Sequence, residues 1–570
     1  MRRARVATTI MALCGFLPLT GCMGLWRGTA RAVDRAPNGL SRPDDALRRV
    51  LTAGSYADAF ARTQSAKRGA PTDALLRAMY RGQTGYYAGR YAESAQAFAE
   101  ADRLAEGRLT KSLSRNAAAL VTNDMALPYL PSRTERLFLR YYAMMAYARA
   151  GAVNAAAVEA RRLGRALEEQ SVDRDDGERA LHAVMREAAG AVFESAGEEN
   201  DALVAYRNAG LLRGMSRADV DTIRLAAPSA DSTTVVLFVE SGFVAHRVDR
   251  TIAFGLDDND VYDGRSGPRG ARRAQPAIGA VPVPPTFGNT PAEPVKPITD
   301  TSAAHVPTGA AVARMVAGAA AAGSTSELRT PESLAARIDR WMNAQPDGGL
   351  FAADDADQHG AWIAGRTLRA GRLDATQWLR VSWPALVRSV MPSSRVAVEL
   401  NAIPRAIARA ITNARPRTMQ NTSTTAELAA MSTGLLGAPL LPAADVSRAV
   451  ACDLRRARPA MLSRMVARAV ARTVFVEALD DKHEWIGAVV GLASRGMERA
   501  DTRSWQLLPG SLQVIRLRVP VGDYHAVVRV GDGLEATAVR LAPVVAKAGQ
   551  LAVVDTRVWR DASAMVAATP

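Results

Sequence analysis

From about residue 46 to 214 the apolar residues fall at three- and four-residue spacings, in a stretch rich in Ala, Leu, Arg and Glu and nearly without proline. That period predicts a helical region. At Pro228 the pattern changes: 233–240 and 243–254 are β-branched and apolar runs parted by Ser241-Gly242, which predicts a hairpin. Residues 257–307 gather proline, glycine and small polar residues, the composition of a linker or long loop. A helical stretch near 331–343 follows, then strands at 376–388 and 395–400 and further helices. In one of these Arg464, Arg468 and Arg472 share a face, with Leu462, Met465, Val466, Ala469 and Val470 on an apolar side. This reads as a surface helix with a solvated face, or alternatively as one that docks on anionic lipid or an acidic partner. Strands return at 512–519, 524–530, 537–541 and 551–558, with turns at 520–523 and 531–533, and a small antiparallel sandwich is their natural closure. The fold class expected is α+β.

Within the helical region, Gly82, Gly89, Tyr91, Phe98 and Ala101 fall at the spacing of a helix, a turn and a second helix. Tyr147, Gly151, Ala156 and Leu163 give a second such unit, and Gly190, Phe193, Gly197, Ala202, Tyr206 and Ala209 a third. These units resemble tetratricopeptide repeats, in which a small residue lets two helices approach and large residues fill the gap between them. The turn glycines are unevenly spaced, against about 34 residues in that family, so extra helices are inserted, notably across 109–121, or the region is an irregular helical bundle.

The N-terminus adds a different kind of information. Arg2, Arg3 and Arg5 precede an apolar run over 6–19 and then Thr20, Gly21 and Cys22, the three parts of a secretory signal. Leu19-Thr20-Gly21-Cys22 resembles the bacterial lipobox. That resemblance implies cleavage before Cys22, acylation of its thiol and amino group, and a durable anchor of two or three chains. Met23 in place of an aspartate favours the outer membrane, periplasmic face, over the inner membrane. An acylated Cys22 cannot pair with Cys452, so no disulfide is expected in the mature chain. No later segment is apolar and long enough to span a bilayer.

The 570 residues allow two to four domains, and the 48% apolar content is that of a globular chain. A formal charge of +15 would ordinarily suggest nucleic acid. The export signal removes that partner, and the bias is almost wholly arginine, with lysine only at 67, 111, 296, 482 and 547. Read together, the chain divides into 1–21 (signal), 22–45 (tether), 46–227 (helical), 228–256 (hairpin), 257–330 (linker), 331–500 (mixed) and 501–570 (β-rich).

Candidate chemistry is sparse. The histidines at 182, 246, 305, 359, 483 and 525 stand alone, so no zinc site can be written. Asp257, Asp258, Asn259, Asp260 and Asp263 lack the ligand alternation and closing glutamate of a calcium loop. Asp354, Asp355, Asp357 and His359, and Asp480, Asp481, His483 and Glu484, read as solvated loop charges. No nucleophile elbow, Walker loop or dinucleotide fingerprint is present, so no catalytic residue, metal or cofactor is expected. Two polar and aromatic stretches stand out. Asn123-Asp124 through Tyr129, Pro131, Glu135 and Arg136 predicts a rigid elbow with Glu135 at a helix start, or a groove. In 501–509, Asp501 and Arg503 can pair while Trp505 and Pro509 pack at a strand start, making a structural corner, or Arg503 and Trp505 form a partner surface.

The order of these parts, with Asn123-Asp124 to Arg136, the 157–162 helix, 235–242 and above all Ala500-Asp501-Thr502-Arg503-Ser504-Trp505 with Leu508-Pro509, resembles a family of proteobacterial lipoproteins with no established activity. The resemblance implies an envelope location and helical repeats. The expected function is a membrane-anchored, non-enzymatic scaffold whose repeats offer a concave surface to an envelope protein, with Tyr129, Glu135, Arg136, Arg503 and Trp505 as candidate partner-binding residues. The alternative is a peptidoglycan-binding or cell-wall-cleaving protein.

Overall fold

The computed structural model describes residues 42–65, 71–109, 127–170, 176–226, 229–255, 261–262, 339, 343, 350–351, 378–389, 396–402, 443–480, 500–530, 537–541 and 543–559. The signal, Cys22 and the tether to 41, Asn123-Asp124, most of the linker, both aspartate-rich sets before 360 and the 481–484 part of the last acidic cluster lie outside the described residues. So do the side chains of Arg468 and Arg472 on the arginine-bearing helix.

The chain is α+β, with helices first and sheets assembled mainly from later segments. Helices α1 (Arg42–Thr52) and α2 (Tyr56–Ser65) lead through a short 3-10 turn (Pro71–Asp73) into α3 (Ala74–Tyr87) and α4 (Tyr91–Leu109). Then come α5 (Arg133–Arg149), α6 (Val153–Glu169), α7 (Asp176–Ser195), α8 (Glu199–Leu212) and the single turn α9 (Arg217–Asp221). The chain reverses at Gly89, Gly151 and Gly197, whose φ values of 71°, 76° and 75° exclude most side chains. Each reversal lays a helix on its predecessor: α4 on α3, α6 on α5, α8 on α7. The approach is close where the sequence supplies a glycine. A Cβ on Gly82 would lie 2.7 Å from the Phe98 ring, and one on Gly190 would lie 2.6 Å from Tyr206.

Three sheets follow among the described residues. In the first, β1 (Ser232–Ser241) lies between β11 (Ala552–Val558), parallel to it, and β7 (Ser511–Pro520), antiparallel, with the two-residue β6 (Ala444–Asp445) beyond β7. In the second, β8 (Gly522–Val530) pairs with β5 (Val396–Ala402) on one edge and with β9 (Thr537–Arg540) and β10 (Val544–Ala546) on the other. The third joins β2 (His246–Gly255) to β3 (Val261–Tyr262) and β4 (Trp378–Val387). Helix α10 (Val446–Asp480), with Pro459 inside it, packs its first turns on α5 and α7 and buries Cys452.

The hairpin expected over 228–256 is corrected. Among the described residues β1 and β2 do not pair; Gly242 instead donates its N–H to the Val558 carbonyl, and Val244 donates to Leu508, so the connection is held by distant chain. The reason is burial. Every β1 residue from Thr233 on is buried, which needs cover on both faces and partners on both edges, and two-residue hairpin geometry cannot supply that. Val235, Leu237 and Val239 meet Val398, Tyr524, Ala526 and Val528 of the second sheet, whereas Val236 and Phe238 join the core under the helices. The last strands divide between two sheets, with β1 inserted between β7 and β11 and a parallel pair among them.

Candidate functional site

Two buried polar clusters join the helices to the sheets. The first is built on the stretch 500–510. The α5 start is a capping box: Glu135 N–H donates to Ser132 Oγ at 3.3 Å and Ser132 N–H to Glu135 Oε2 at 2.6 Å. The second carboxylate oxygen, Oε1, accepts the Trp505 N–H at 2.6 Å. One glutamate thus satisfies a helix end and a segment 370 residues away. The α3 face holds the same segment: Tyr80 OH donates to the Ser504 carbonyl at 3.2 Å and Gln83 Nε2 to the Leu507 carbonyl at 2.9 Å. Arg48 of α1 donates to the Gln506 carbonyl at 2.6 Å. Burial pushes the Arg48 guanidinium down to about 10.

Trp505 packs against both Phe98 and Tyr142, ring centroids 6.0 and 5.7 Å away. Arg503 forms a fork on Asp501 at 2.8 and 2.7 Å, reaches Asp73 at 2.9 Å and the Leu127 carbonyl at 2.9 Å, and lies over Tyr129. Burial opposes its charge, but the two carboxylates outweigh that and raise its proton affinity.

Four of the five candidate partner-binding residues are therefore brought together, but inside the protein. Tyr129, Glu135, Arg503 and Trp505 are 1, 3, 8 and 0% exposed. Their partners are this chain's own groups, so the partner-surface expectation for them gives way to that of a structural corner. Arg136 stays half-buried on α5, its Nε without a hydrogen-bond partner among the described residues. The segment 500–510, α10, β6 and β7 also cover parts of α3, α5 and α7.

The second cluster lies between α3, α5 and the first sheet. Glu240 near the end of β1 accepts Tyr87 OH at 2.5 Å and Tyr142 OH at 2.9 Å, both on Oε2. Arg557, in register with Glu240 on β11, has a nitrogen 3.8 Å from that oxygen. Its hydrogen bonds go elsewhere: to Tyr87 OH at 2.7 Å and to the Leu507, Gly242 and Leu508 carbonyls at 2.6, 2.7 and 3.1 Å. The guanidinium also covers the Trp559 ring at 4.1 Å. Two residues earlier on β11, Asp555 lies 3.3 Å from Arg149 of α5. Burial raises the proton affinity of Glu240, opposed by Arg557 and the two phenols, and raises that of Asp555, opposed by Arg149 and Tyr86.

Pattern reading missed this second cluster. The available signal was the charge of Asp555 and Arg557 inside an otherwise apolar strand, and Glu240 ending a continuous apolar run. Among the described residues no group of three or more His, Cys, Asp and Glu is placed to hold a metal ion. His182, on α7, is buried and its proton affinity is pushed down to about 4 by burial. Comparison with known proteins returned no match, whether to a protein-family model, a curated protein or a solved structure.

Proposed function

We propose that this chain is a lipid-anchored periplasmic scaffold of the bacterial envelope, held on the outer membrane by acyl chains on Cys22 and belonging with the proteobacterial lipoproteins its sequence resembles. In this reading α3 to α8 are three tetratricopeptide-like pairs, with Gly82 against Phe98 and Gly190 against Tyr206 as the close approaches. The first and second sheets share an apolar cluster in which Leu237 and Val239 of β1 meet Val528 of β8, and they act as a small sandwich that braces the pairs. The observation that carries the reading is the covering of α3, α5 and α7 by later segments. A helical array closed by its own C-terminal half is a rigid platform, and the surface left to a protein partner is its outer side. Val158 of α6 and Val204 of α8, each seven residues past its turn glycine, are 46% and 56% exposed, and Leu211 of α8 is 37% exposed, which makes these helices the candidates for that surface. No helix among the described residues is long and apolar enough to cross a membrane, which makes the anchor the means of attachment in this reading.

Mass spectrometry of the N-terminal peptide tests the anchor: an acylated Cys22 is expected, and Cys22→Ser releases the protein from the membrane fraction. In-cell crosslinking then tests the scaffold. One envelope protein captured by the wild type and lost in Val204→Asp sustains it, whereas recovery of peptidoglycan alone replaces it with wall binding.

A further inference from the structure

The contact between α7 and α10 encloses a histidine among cations. Glu178 and His182 stand one turn apart on α7 and so share a face, and they are 3 and 1% exposed. Helix α10 lies on that face, where Arg456 donates through both terminal nitrogens to the two Glu178 oxygens across 278 residues of chain. The start of α5 is tied to α10 as well, since the Thr134 N–H donates to Asp453 at 2.7 Å. Besides Glu178, the charged groups facing His182 are Arg186 of α7, Arg133 of α5 and Arg456 of α10. From the other elements packed on α7, Glu168 of α6 faces Arg186, Arg213 beyond α8 is bonded to Glu187, Arg516 of β7 to Glu194, and Asp445 of β6 accepts the Arg448 N–H. Three guanidiniums thus face the imidazole, and the carboxylate beside it has both oxygens engaged by one of them.

We propose that His182 is the latch of α10, and that its uptake of a proton in mild acid releases the first turns of that helix from α5 and α7. A neutral imidazole is accommodated in this dry interface. A protonated one adds a fourth cation to three, with no carboxylate left to receive it. Its proton affinity is accordingly pushed down to about 4 while α10 is docked, against about 6.5 in water. The docked state is therefore at full strength above about 6.5 and loses stability as pH falls from there toward 4. The element that yields is α10. Helices α7 and α8 are consecutive and approach closely at Gly190 and Tyr206, whereas α10 comes from a distant part of the chain and its hydrogen-bond ladder is interrupted at Pro459.

Amide hydrogen exchange of the full chain between pH 7.5 and 5, corrected for the intrinsic rate, tests the latch. Protection over 446–458 is expected to fall about 25-fold across that range, the ratio set by midpoints of about 4 docked and about 6.5 released. Helices α7 and α8 keep their protection, which separates release of α10 from global unfolding. His182→Gln cannot take up the proton and flattens the fall, while the buried Asp453 titrates alike in both proteins and cancels in the comparison. An equal slope over 446–458 in wild type and His182→Gln overturns the proposal, and so does a fall shared equally by α7, α8 and α10. If His182→Gln does not fold, Arg186→Gln takes its place: removing one facing cation raises the docked proton affinity and shrinks the fall, and an unmoved profile overturns the proposal too.

Discussion

The two polar clusters do the same mechanical task in opposite electrostatic ways. At the 500–510 corner one cation, Arg503, lies between two carboxylates and a carbonyl, all within hydrogen-bond distance. In the Glu240 cluster the carboxylates are enclosed and the nearest guanidinium is bonded to other groups. The first arrangement strengthens the charge it buries, and the second weakens it. At Arg503 the two carboxylates outweigh burial, whereas at Glu240 burial outweighs Arg557 and the two phenols, so each sign is the balance of desolvation against the partners within reach.

The comparison can be broken most severely from the corner side. Trp505→Ala removes a fully buried ring that touches Phe98 and Tyr142, and a loss of about 3–5 kcal/mol is expected in chemical denaturation. A comparable loss, again about 3–5 kcal/mol, is expected for Arg557→Met, which leaves Glu240 without its cation. Adding Glu240→Leu to that variant should recover part of the loss, and a double-mutant cycle gives the coupling. If the double variant is as unstable as the sum of the singles, the two side chains do not interact. Gly82→Ala forces the Phe98 ring to move, and that ring contacts both Trp505 and Tyr142. A cost of about 1–3 kcal/mol felt at both clusters is expected, read as lowered protection of both α3 and the 500–510 backbone. The smallest effect belongs to the outer face, where Val204→Ser should stay within about 0.5 kcal/mol of wild type.

A pH scan sharpens the contrast further. His182, with its folded proton affinity pushed down to about 4, contributes stability that is present above the unfolded value of about 6.5 and is lost as pH falls below it. His182→Gln should remove that loss in thermal melts between pH 7 and 5, and an unchanged melting profile would falsify the assignment.

Much of the helical half was legible in the sequence because its signals are local. Gly89, Gly151 and Gly197 mark turns wherever the chain is helical on both sides, and Ser132 with Glu135 announces a capped helix start without reference to anything distant. The strands at 378–387, 396–402 and 511–520 were likewise readable from β-branched runs. Their pairing was not. A run such as Val235 to Val239 has the same composition in a hairpin as in the centre of a mixed sheet, and only the arrival of β7 and β11 from the other end of the chain decides between them. The candidate residues divide in the same way. Glu135, Arg503 and Trp505 could be picked out by type, but whether they face solvent or each other depends on a contact across 370 residues.

By itself, then, the sequence determined the α+β class, the helix pairs and their glycine reversals, because these follow from periodicity and from φ values that few residues adopt. The tertiary structure decided which strands are neighbours, covered α3, α5 and α7 with later segments and enclosed Glu240 with Asp555. Those outcomes depend on which distant surfaces lose water to one another, and no local pattern encodes that choice.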